Sequence, residues 1–161
     1  MSTVQSMLTI AALVFLSLAS LQFNRTALHT QTAEIENKVY LTAFSLADDM
    51  IEEIKVKGFD ETTVPFPTNI TTNLTSLANL GPDAGETYGS YDDVDDYNGY
   101  EKLISAPHAE DYFISVTVKY VDGDDPDTFS TVQTFYKKVL VTVSSPFMNY
   151  PVKLSFIFTL K

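Results

Sequence analysis

The chain has no cysteine, no tryptophan and only two histidines in 161 residues. Without cysteine there are no disulfides, no thiolate metal sites, no c-type haem attachment and no thiol nucleophile. The histidines, His29 and His108, stand apart, the first in a helical pattern and the second in a loop. His29 is expected to pack or hydrogen-bond, and His108 to face solvent. No H-E-x-x-H, G-x-S-x-G elbow or glycine-rich phosphate loop is present. These absences argue against an enzyme. Basic residues are scarce too: ten Lys and Arg face 21 Asp and Glu, for a net charge of −11. A chain this acidic is repelled by phosphate backbones, so nucleic acid is set aside as a partner.

Two further absences define the N-terminal third. No proline or glycine occurs before Gly58, and no charged side chain before Arg25. Residues 1–57 are therefore expected to form one helix, about 85 Å long if straight. Its first part, 1–24, would extend about 36 Å, enough to cross a bilayer. Its second part, 25–57, is amphipathic. Leu28, Ile35, Val39, Ala43, Leu46, Met50 and Ile54 fall at spacings of seven, four and three, on one face. Lys55 and Lys57 suit the negative end of the helix dipole, and Gly58 suits a left-handed cap.

Residues 58–161 are expected to form a β-rich head with a net charge of −9, opened by an irregular region, 58–107. Pro65, Pro67, Gly81, Pro82, Gly85, Gly89, Gly99 and Pro107 break long elements there. Leu74 to Leu80 suggests a short helical turn. Asn24, Asn69 and Asn73 each begin an N-x-[ST] triplet, a pattern common by chance. Two acidic turns follow. Asp92, Asp93, Asp95, Asp96 and Asn98 concentrate oxygens that a hard cation such as Ca²⁺ could use, but without EF-hand spacing. The expectation for this Asp92–Asn98 loop is a solvated turn with its tyrosines packed on a sheet. No other cofactor is implied. The second turn, Asp122 to Asp127, reads as a hairpin loop.

Three segments alternate with the period of a strand: Tyr112 to Val121, Phe135 to Val143 (with a start at Ser130 also open) and Val152 to Leu160. Tyr100 to Ser105 adds an edge strand. Neighbours in sequence usually pair, which gives an antiparallel meander of three or four strands. The fold class is thus α+β: a long N-terminal helix, hydrophobic then amphipathic, packed on a small antiparallel sheet.

The apolar segment admits three readings: a cleaved signal peptide, a signal anchor, or a helix whose basic leader has been removed. No base precedes Met7, and Arg25 lies on the wrong flank for an anchor with its N-terminus inside. The third reading fits. Met1-Ser2-Thr3-Val4-Gln5, running into an uncharged and then amphipathic helix, resembles the type IV pilin and pseudopilin family. The resemblance covers the helix and, in general plan, the head. It implies processing at Met1 by a prepilin peptidase, with methylation of the new terminus and insertion in the inner membrane before assembly. It further implies handling by pilus assembly machinery and a homopolymeric filament at the cell surface. Leu8, Leu13, Phe15 and Leu16 would then pack in the filament core. The family's usual acid at the fifth position is Gln5 here, and its usual helix-bending proline is Gln22. These departures leave open a minor pilin or pseudopilin that primes a pilus or secretion machine. A monomeric, membrane-anchored acidic binding module is the reading from another class.

Overall fold

The computed structural model describes residues 2–63, 66 and 68–160. Met1, the expected processing site, and the expected breakers Pro65 and Pro67 lie outside the described residues. One helix, α1, runs from Thr3 to Lys55, uninterrupted as the lack of proline and glycine leads one to expect. The chain divides into two compact units, 1–38 and 39–161.

In the second unit, residues Val39, Ala43, Ala47, Met50, Ile51 and Ile54 of α1 are buried. They repeat at helical spacing and form one stripe. It packs against Tyr112, Ile114, Val116, Val118, Val139, Val141 and Val143 of the sheet. Full burial of each such Val, Ile or Met is worth about 1.5–3 kcal/mol. The stripe expected from Leu28 onward is buried only from Val39, since Leu28 and Ile35 are exposed.

The sheet has four strands: β1 (Glu101–Ala106), β2 (Ala109–Tyr120), β3 (Tyr136–Ser144) and β4 (Val152–Thr159). Their order is β1-β2-β3-β4 and every pair is antiparallel, the meander expected. Pro107 and His108 turn β1 into β2, with His108 at φ 74°. The exposed His108 fits its expected loop position; His29 is exposed too, rather than packed. In β2 the buried residues are Tyr112, Ile114, Val116, Val118 and Tyr120, the face that alternation assigns. β3 starts at Tyr136, not at Ser130; the Ser130 N–H instead donates to Tyr120 O at 2.9 Å, within the loop.

Among the described residues of 58–100 the helical elements are short 3₁₀ turns: Glu61–Thr63, Thr71–Asn73, Tyr88–Ser90 and Asp95–Tyr97. Leu74 to Leu80, where a short helical turn is expected, holds one turn, closed by Asn79 N–H to Ser76 O at 2.9 Å. Gly58, expected as a helix cap, pairs in a parallel bridge with Asp93: its N–H donates to Asp92 O and its carbonyl accepts from Val94 N–H. The helix exit is thereby tied to the first acidic turn.

Candidate functional site

Two features stand out, one in each unit. The first is the apolar segment of α1. Residues 2–35 are all exposed, including Leu8, Leu13, Phe15 and Leu16, each at more than half of full accessibility. The helix is long and apolar enough to cross a membrane, and none of its most apolar stretch is buried. Two of its hydroxyls bond back to the helix itself. Thr9 Oγ1 donates to Ser6 O, and Ser17 Oγ donates to Leu13 O, both at 2.8 Å. Such back-bonding hides a hydroxyl from an apolar surrounding. At the helix start Gln5 Oε1 accepts from Ser2 N–H at 3.1 Å, and Ser2 Oγ accepts from Gln5 N–H at 3.4 Å. This is the reciprocal capping box of Ser-x-x-Gln. Gln5 thus has a local role that needs no charge.

The second feature is a buried polar cluster under the sheet. Lys137 is the second residue of β3 and shares the inward face with Val139, Val141 and Val143. Its side chain is fully buried. Three acceptors meet its three donors: Phe59 O at 2.7 Å, Asp60 Oδ2 at 2.9 Å and Asp95 Oδ1 at 2.5 Å. The Phe59 ring lies 4.6 Å and the Tyr120 ring 5.3 Å from Nζ, close enough for both to add cation–π attraction. Tyr120 stands opposite Lys137 in the β2–β3 register. Its hydroxyl donates to Thr75 O at 2.8 Å and also reaches Asp60 Oδ2 at 3.2 Å.

The carboxylates differ in charge preference. Burial opposes the charge of Asp60, but donors from Thr62, Lys137 and Thr75 outweigh it and hold the group below the usual carboxylate range. Burial, with the charges of Asp95 and Asp96 added, pushes Asp93 up to about 8. Burial also raises Asp95, against the pull of Lys137. The Tyr120 phenol is raised by burial and by the Asp60 and Asp95 charges.

The Asp92–Asn98 loop is folded on its own oxygens. Asp93 Oδ1 accepts from Asp95 N–H at 2.8 Å and Asp96 N–H at 3.2 Å. Asp96 Oδ2 accepts from the N–H groups of Asp92 and Asp93. Asn98 bridges Leu80 O and Val118 N–H, both at 2.9 Å. Glu86, outside the expected loop, brings a carboxylate within 4.8 Å of those of Asp92 and Asp96. The loop's tyrosines pack together. Tyr97 and Tyr88 both donate to Glu53 at 2.7 Å, and Tyr88 stacks on Tyr100 with centroids 4.8 Å apart. Among the described residues, no buried side-chain nitrogen or oxygen lacks a hydrogen-bond partner.

The structure therefore brings Asp60, Asp93, Asp95, Tyr120 and Lys137 together, and the sequence reading singled out only Asp93 and Asp95 among them. A signal for Lys137 was present. It is the one charged residue on a face otherwise made of Val139, Val141 and Val143, where an unpaired charge cannot be stable. Compared with protein-family models, curated proteins and solved structures, the chain matches none of them.

Proposed function

We propose that the chain is a structural subunit of an extracellular filament of the type IV pilus kind, polymerising through its apolar N-terminal helix. The observation that carries this reading is the complete exposure of the apolar part of α1 in a chain whose second unit has its own core. An apolar surface of that extent needs lipid or protein to cover it. A membrane supplies the cover before assembly, and neighbouring helices supply it afterwards. Ala11, Ala12, Ala19 and Ser20 are small enough for close helix approach. Repeated head-to-tail contact of identical subunits gives an open filament. The resemblance of Met1 to Gln5 and the following helix to pilins supports the same reading.

The neutral Gln5, where the resemblance leads one to expect an acid, favours a second form of it, a minor or priming subunit. That form keeps the fold and changes the copy number. The decisive experiment is electron microscopy of material sheared from the source cells, with mass spectrometry of the purified filaments. Thin filaments built mainly of this chain, with an N-methylated Met1, are expected. Recovery only as a membrane-bound monomer with an unprocessed terminus would replace the filament with an anchored binding module.

A further inference from the structure

Neither membrane insertion nor polymerisation uses the buried cluster of Lys137, Asp60, Asp95 and Asp93. Its geometry sets one buried amine against two buried carboxyl groups. Lys137 Nζ lies 2.5 Å from Asp95 Oδ1. At an ordinary hydrogen-bond angle the Asp95 carboxyl carbon is then about 3.3 Å from the nitrogen, and a rotation of the carboxyl group would turn its face to the amine. Asp60 Oδ2, at 2.9 Å on the same nitrogen, is placed to take a proton from it. Lys137 and Asp60 are fully buried, and Asp95 nearly so. Phe59 and Tyr120 place their rings against the amine and help keep water out.

We propose that Lys137 and Asp95 condense, without any other protein, into an intramolecular isopeptide bond between Nζ and Cγ.

The atoms balance with nothing added. The Lys137 ammonium gives one proton to Asp60, and the freed lone pair attacks Asp95 Cγ. The tetrahedral adduct loses one Asp95 oxygen as water. Both protons of that water come in net from the nitrogen, relayed through Asp60 and Asp93, which end as they began. No oxidation or reduction occurs, and no cofactor takes part.

The two aspartates on Lys137 are suited to different roles. Asp60 is bonded by Thr62 N–H and Oγ1, by Thr75 N–H and Oγ1, and by the Tyr120 hydroxyl. So many donors keep it ionised and make it a poor electrophile; its part is set by position, as a weak base with Oδ2 on the Lys137 nitrogen. Among the described residues the Asp95 carboxyl has only Lys137 and the Asp93 carboxyl as partners, and Asp93, hydrogen-bonded to it and pushed toward its protonated form, can protonate the departing oxygen. A dry site also draws the condensation forward and shields the amide from hydrolysis. The bond would join the loop before β1 covalently to β3, closing a chain loop that no disulfide can close in a protein without cysteine.

The test is mass spectrometry of the full chain, folded and held in detergent. Condensation lowers the intact mass by about 18 Da, the loss of one water. Trypsin should then release residues 58–102 and 120–138 as one branched peptide, uncut at Lys137, with fragment ions placing the branch at Asp95. Succinimide at Asp122-Gly123 gives the same mass loss but no branch, and hydroxylamine opens it. In Lys137→Arg, which keeps the charge, the branched peptide should vanish. An intact chain of full sequence mass, with Lys137 and Asp95 recovered in separate linear peptides, overturns the proposal. A branch at Asp60 overturns the assignment of electrophile and base.

Discussion

The two acidic turns look interchangeable in sequence: Asp92, Asp93, Asp95 and Asp96 in one, Asp122, Asp124, Asp125 and Asp127 in the other. In the folded chain they are opposites. Asp93, Asp95 and Asp96 are buried, whereas residues 122–127 are all exposed. The difference comes from adjacent lysines. Alternation along β3 turns Lys137 inward, where it meets Asp95, and Lys138 outward, where it meets Asp127 at 2.6 Å. One turn is thereby fastened into the core and the other hangs from the surface. A count of carboxylates cannot separate these fates; the register of the lysines can.

The largest effect that could break this comparison is Lys137→Ala. It leaves Asp60 and Asp95 buried without their cation or, where the amide has formed, without the cross-link that replaces it. Removing one partner of a buried ion pair costs about 3–5 kcal/mol. Chemical denaturation of the full chain in detergent should show that loss, with Lys138→Ala close to wild type. Equal effects at the two positions would mean that the buried turn is no better fastened than the exposed one.

The second test is pH dependence, and the buried cluster contains two opposing signs. Asp93 has its folded value raised to about 8 from 3.8. It holds a proton more tightly folded than unfolded, so its contribution is complete below about pH 4 and is lost as pH rises through about 8. Asp60 is depressed, so its contribution is present above about pH 4 and is lost as pH falls through its lower folded value. Stability should therefore decline from weakly acid to weakly alkaline pH and decline again in strong acid. Asp95, raised as well, adds to the first decline, so Asp93→Asn should shrink that decline and keep the second. An undiminished first decline in Asp93→Asn would assign it to groups other than Asp93.

A smaller effect is expected from Tyr120→Phe. It removes the hydroxyl that donates to Thr75 O and reaches Asp60, and it keeps the ring beside Lys137. Leaving a buried acceptor unsatisfied costs about 1–3 kcal/mol. The denaturation midpoint should fall between those of wild type and Lys137→Ala. A midpoint equal to wild type would show that Tyr120 acts in the cluster through its ring alone.

Much of this fold was legible because its elements repeat with a period. The helix was visible in the missing proline and glycine of residues 1–57, and β2 in the alternation from Tyr112 to Tyr120. The cluster was far less legible because it joins residues distant in sequence. Asp60 and Lys137 are 77 positions apart, and Asp95 and Lys137 are 42 apart. Nothing local to Phe59-Asp60 marks it as the partner of a strand residue. The start of burial at Val39 was equally hidden: Leu28 and Ile35 continue the same helical spacing, and spacing reports a face without saying what covers it. Gly58 shows the reverse error. A glycine after a helix suggests a cap, but here its backbone pairs with the chain around Asp93, a contact that local sequence does not encode.

The smallest effect belongs to the outer turn, and its smallness sharpens the contrast most. Asp127 pairs with Lys138 at 2.6 Å, yet its side chain is 91% exposed. The hydrogen bond from Lys138, with its charge, lowers the Asp127 pKa, but water screens the pair and each side chain loses freedom in forming it. Asp127→Ala should therefore leave the denaturation midpoint unchanged, in low and high salt alike. The turn keeps its other restraints: Asp124 N–H on Asp122 Oδ1 at 3.0 Å, and Thr128 Oγ1 on Asp125 Oδ2 at 2.7 Å. A loss at Asp127 comparable to that of Tyr120→Phe would mean that this turn too bears on the core, and that exposure alone does not distinguish the two.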